Sequence, residues 1–71
     1  MNRYLIIVEE TPSGYSAYSP DVPGCVATAS TRPKVEHEMQ DAIQFHIEGL
    51  RAAGEEVPKP RSKASYCDVP V

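Results

Sequence analysis

Ten carboxylates, two histidines and two cysteines are the groups in this 71-residue chain that could carry acid–base, metal or nucleophilic chemistry. A two-metal nuclease site needs several carboxylates converging from strand centres and a helix. Glu9, Glu10, Asp21, Glu36, Glu38, Asp41, Glu48, Glu55, Glu56 and Asp68 instead fall at the ends of apolar runs or on the polar side of a helical pattern, where carboxylates are ordinarily solvated. There is no CxxC, no HxxxH and no four-ligand set for zinc. Cys25 has neither a base nor an orienting acid beside it in sequence, and reads as a small buried hydrophobe. His37 lies outside the apolar stripe described below. His46 falls inside it, as a histidine does when its ring is in a core and one nitrogen is hydrogen-bonded. With no glycine-rich phosphate loop either, the expectation is a protein that is not an enzyme and holds no cofactor or metal.

The most specific string is Pro20-Asp21-Val22-Pro23-Gly24-Cys25. Two prolines stiffen it, Gly24 permits a reversal, and Asp21 can cap the bend by accepting backbone N–H bonds. A rigid exposed bend also loses little entropy on docking. Tyr18, Asp21, Val22 and Pro23 are therefore the candidate partner-binding residues.

The elements that would position these groups follow from the pattern. Arg3–Glu10 (RYLIIVEE) is β-branched and aromatic and predicts a strand. Thr11–Gly14 is a turn, Tyr15–Ser19 a second strand, residues 20–24 the bend and Cys25–Ser30 a third strand. The period then changes. Thr31 is a candidate N-cap, with Pro33 in the first turn, and Val35, Met39, Ala42, Ile43, His46, Leu50 and Ala53 recur at helical spacing. Gly54 suits the position after a helix, and Pro58 and Pro60 prevent continuation. Ala64–Val69 (ASYCDV) predicts a fourth strand, placed beside the first and parallel to it by a right-handed crossover. The fold class is α+β: β-β-β-α-β, a four-stranded sheet in the order 3-2-1-4 with one helix on one face. Cys25 and Cys67 would then lie on opposite edge strands, too far apart for a bridge.

One helix covers one face of such a sheet, yet the first strand is apolar on both. Tyr4, Ile6 and Val8 point one way and Leu5 and Ile7 the other. Tyr18 and Val26 extend the second patch, while Tyr15, Ala17, Cys25 and Ala27 lie opposite. A contiguous exposed patch marks an interface. Tyr4, Leu5, Ile6, Ile7 and Val8 are accordingly the candidates for self-association into a homodimer or higher oligomer. Which set faces the helix depends on register, because a slip of one residue exchanges them.

Composition sets the remaining bounds. The chain makes one domain, residues 1–71, small enough that its own core is marginal. Formal net charge is −3, which disfavours direct DNA or RNA binding and suits a basic partner. The N-terminal apolar run is too short for a signal-peptide core or a membrane span, and two cysteines are too few for a secreted disulfide scaffold, so a reduced cytoplasm is expected.

Taken together, a Gly-Tyr strand, Ser-Pro-Asp-Val-Pro-Gly-Cys-Val, a Thr-opened helix holding Ala-Ile-Gln-Phe-His-Ile-Glu-Gly-Leu, and Gly-Glu-Glu-Val-Pro-Lys-Pro resemble the HicB-like antitoxins over nearly the whole chain. The resemblance implies a partial RNase H-like fold without that fold's catalytic carboxylates. It also implies an antitoxin that masks HicA, a small basic mRNA-cleaving toxin, by direct protein–protein binding, and a tendency to self-associate. The alternative is a solitary oligomeric HicB-like domain with no toxin partner. This sequence departs from the family pattern in two ways. It shows no C-terminal DNA-binding segment of the ribbon-helix-helix or helix-turn-helix kind, and its helix opens Thr31-Arg32-Pro33-Lys34 where acidic residues are common.

Overall fold

The computed structural model of the chain describes residues 2–71. Strand β1 is Ile7–Thr11, β2 is Gly14–Tyr18, β3 is Val26–Ala29 and helix α1 is Arg32–Ala52. The strands form one antiparallel sheet in the order β1-β2-β3. Across the first hairpin Ile7 faces Tyr18, Val8 faces Ala17 and Thr11 faces Gly14; across the second pair Ala17 faces Ala27 and Tyr18 faces Val26. Gly14 is required by a close approach as well as by its φ of 155°, since a Cβ there would run into the Ala29 carbonyl oxygen.

The helix is defined at both ends by the residues the pattern singles out. Thr31 has extended backbone and its hydroxyl accepts the Lys34 N–H at 3.3 Å, with Pro33 in the first turn. That satisfies one of the N-terminal donors the helix itself leaves free. At the other end Gly54 takes φ 71°, its N–H reaches the Arg51 carbonyl at 3.1 Å, and the Glu55 N–H reaches Leu50 at 2.8 Å. This is the Schellman arrangement that glycine permits.

The core lies between α1 and one face of the sheet. Val22, Val35 and Met39 are fully buried, joined by Ala17, Cys25 and Ile43, and Tyr4, Ile6, Val8, Tyr15, Ala27, Ala29 and Ile47 pack around them. Small strand residues at Ala17, Ala27 and Ala29 let the helix lie close, and Met39 fills the centre. Ile47 packs against this core although the stripe read from the sequence omits it, and Ala53, included in that stripe, is exposed.

Two expectations are corrected. The sheet has three strands, so the order is 3-2-1 without a fourth member, and Ala64–Val69 forms no strand. That segment follows a proline-bounded link held to the body at Ser62 and Pro58, and its first residues, Ala64–Tyr66, line a groove beside Leu5–Val8 without laddering onto β1. The first strand also begins at Ile7, not Arg3. Its partner β2 ends at Tyr18, and the chain then turns through Ser19 and Pro20, leaving Tyr4–Ile6 no strand to pair with. The Leu5 carbonyl instead accepts the buried Ser19 hydroxyl at 2.8 Å.

Candidate binding surface

The two faces of β1 separate cleanly. Tyr4, Ile6 and Val8 pack on the helix side and are half-buried there. Ile7, by strand alternation, points to the face away from the helix. There Ile7, Tyr18 and Val26 are cross-strand partners in one row spanning all three strands, with Tyr18 and Val26 exposed at 43% and 70%. The neighbouring row is Glu9, Ser16 and Thr28. That face is thus an apolar row (Ile7, Tyr18, Val26) bordered by a polar row that carries a carboxylate. Val69 and Val71 do not seal it, being exposed at 63% and fully.

The four residues expected to meet a partner do not form one patch. Tyr18 belongs to the open sheet face. Val22 is fully buried and supports the bend from beneath. Pro23 is exposed, and with Asp21 it lines a groove of about 570 Å³ whose other wall is Leu50, Val57, Pro58 and Arg61. The bend closes through its own backbone, Val22 N–H to Ser19 and Cys25 N–H to Val22, without help from Asp21.

Asp21 acts across the fold instead. Its carboxylate accepts the N–H groups of Arg61 and Ser62 at 2.9 and 2.8 Å and the Ser62 hydroxyl at 2.9 Å. These bonds, the Ser62 N–H foremost, hold its pKa below the ordinary aspartate value. Tyr4 adds a second pin, its hydroxyl donating to the Pro58 carbonyl. Neither contact is readable from the sequence, because each joins residues forty or more positions apart through an irregular link.

The chemical groups lie as bystanders. Cys25 is buried, its thiol against the Ala42 carbonyl at 3.8 Å and its pKa pushed up by burial, which disfavours the thiolate a nucleophile needs. Cys67 is exposed, and both thiols are free. His37 is exposed and 3.4 Å from Asp41 one helical turn on, while His46 is half-buried. Among the described residues no three His, Cys, Asp or Glu side chains gather as a metal site would need. No helix of the described residues is long and apolar enough to cross a membrane. Sequence reasoning missed Phe45, which stands 81% exposed on the outer side of α1 with Asp41 and Glu48 one turn away on either side. Its exclusion from the apolar stripe was the available signal.

Residues 4–70 match the family described as HicB_like antitoxin of bacterial toxin-antitoxin system. An uncharacterized 14.9 kDa protein of Haemophilus phage HP1 is 37% identical over 67 residues, which are 94% of this chain. The chain spans only half the length of that relative. A UPF0150 protein of Synechocystis sp. is 31% identical over 58 residues, 82% of this chain and 73% of its own. Among solved structures, a chain of the HicA3 and HicB3 toxin-antitoxin complex superposes with a TM-score of 0.71 at 30% identity, covering 84% of this chain and 70% of that one.

Proposed function

Because the chain belongs to the HicB-like antitoxin family, we propose that it neutralises a HicA-type, mRNA-cleaving toxin by binding it directly, in the cytoplasm where mRNA is translated. The observation that carries this reading is the likeness, in fold and at 30% identity, to a chain of a HicA3 and HicB3 complex. Two features of this chain support it. Its net charge of −3 is complementary to a basic toxin and would steer encounter. Its sheet offers an apolar row of Ile7, Tyr18 and Val26, the last two exposed, with Glu9 beside it, as a contact surface. Aromatic side chains that become fully desolvated carry a disproportionate share of binding energy, which makes Tyr18 the anchor of the proposed contact.

The mechanism is steric. A bound antitoxin covers the toxin's catalytic face and keeps RNA from it, and no reacting group of its own is required. Co-expression with a HicA-type toxin tests the reading: growth is restored and the two proteins elute together. Toxicity undiminished by a well-expressed, folded chain would favour the alternative, an oligomeric domain of this family without a toxin.

A further inference from the structure

We infer that Lys59, Arg61, Lys63 and Tyr66 form a site for single-stranded RNA, with the three cations on the phosphate backbone and the tyrosine ring under a base. The site shares no residue with the open sheet face and needs no toxin.

The net charge of −3 belongs to the chain as a whole, and its distribution is uneven. Three of the seven Lys and Arg residues fall at alternate positions within residues 59–63. Prolines hold that stretch extended. The rings of Pro58 and Pro60 fix φ, and Val57 and Lys59, each preceding a proline, are confined to the extended region. Successive cations on such a backbone stand about 6–7 Å apart along the chain, a spacing that the phosphates of an extended strand can follow.

The inner side of the stretch is anchored. The Pro58 carbonyl accepts the Tyr4 hydroxyl, and Ser62 donates its N–H and its hydroxyl to Asp21. Pro58 and Ser62 are half-buried, whereas Lys59, Arg61 and Lys63 are exposed. Among the described residues the ion pairs are Arg32 with Glu36 and His37 with Asp41, and neither engages the three cations. Asp21 and Glu56 share the adjoining groove with Lys59 and Arg61, which keeps the attraction to an anion weak and sensitive to salt.

Cations alone would suit any anion. Tyr66 narrows the choice. It lies three residues beyond Lys63 and is 96% exposed, more than any other aromatic side chain of the body or tail. A ring left in water at the end of a row of cations is the arrangement by which proteins hold single strands, the cations tracking the backbone and the ring stacking on a base. Beside Tyr66 a groove of about 580 Å³, bordered by Leu5, Ile7 and Lys63, leaves room for that base. An acidic peptide would leave the ring without a task, and a duplex keeps its bases in its own stack.

The test is fluorescence anisotropy of a labelled oligouridylate of about twelve nucleotides, titrated with the full chain at low salt. Saturable binding is expected, with a slope of about −2 for the logarithm of affinity against that of salt, as three phosphate contacts on a single strand require. Replacing Lys59, Arg61 and Lys63 together by glutamine should weaken binding at least tenfold. Tyr66→Ala should weaken it about fivefold or more, and Tyr66→Phe should not, since the stacking face is kept. The helical circular-dichroism signal should be the same in all of these chains. Absence of saturable binding, affinity indifferent to the three glutamines or to Tyr66→Ala, a duplex bound as tightly as the single strand, or polyglutamate bound as tightly as the RNA would each overturn the assignment.

Discussion

The same three strands present two faces with opposite fates. Under α1, Ala17 is buried and Ala27, Ala29 and Val8 pack against Val35 and Met39; on the reverse, Tyr18 and Val26 occupy the same ladder and meet solvent. Secondary structure and register are common to both faces, so the difference is one of cover alone. A small domain that needs every apolar contact has left a row of them unused, which is intelligible if a partner supplies the second cover. The lesson is that alternation along a strand specifies two surfaces at once, one for folding and one for binding.

The largest effect should come from the covered face. Met39→Ala removes the largest fully buried side chain and should cost about 2–5 kcal/mol, enough to unfold much of so small a domain in a urea titration. Gly14→Ala should follow, since its Cβ would strike the Ala29 carbonyl of β3; a loss of about 1–3 kcal/mol is expected in thermal melts. On the open face the pattern inverts. Tyr18→Ala or Val26→Asp should change stability by no more than about 0.5 kcal/mol, yet weaken toxin binding tenfold or more by calorimetry. If Phe45→Ala weakens it and Tyr18→Ala does not, the contact lies on the outer side of the helix.

Smaller effects concern the tail. Asp21 has a lowered pKa, so its contribution is complete above the ordinary aspartate value of about 3.9 and is lost as pH falls through its lower value in the folded chain. Amide exchange at Arg61 and Ser62, referred to the intrinsic rate at each pH, should therefore accelerate in acid before the helix melts, and Asp21→Asn should show part of this loss at neutral pH. Smallest of all, a maleimide should label Cys67 at the rate of a free thiol and Cys25 far more slowly, the latter being buried with a raised pKa.

Much of the body was legible in the sequence. Thr31, Pro33 and Gly54 mark the helix ends where the structure places them, and the alternation in RYLIIVEE assigns Tyr4, Ile6 and Val8 to one face and Leu5 and Ile7 to the other. Which face the helix would take was not legible, because it depends on the pairing of Ile7 with Tyr18. The fourth strand failed for a related reason. ASYCDV has strand composition, but composition does not say whether an edge is in reach to pair with it. The role given to Asp21 was local, and the real one spans the fold, since irregular segments leave no periodicity to read. Val22 looked like an exposed bend residue because prolines flank it, yet the bend turns it inward to the core.

The central claim is that this chain silences a toxin by covering it. The most direct measurement is the rate of RNA cleavage by a HicA-type toxin as the purified chain is added. The account predicts that cleavage falls linearly and stops at a fixed stoichiometric ratio, and that the Tyr18→Ala variant reaches that point only at a large excess. Undiminished cleavage in the presence of excess folded chain would contradict it.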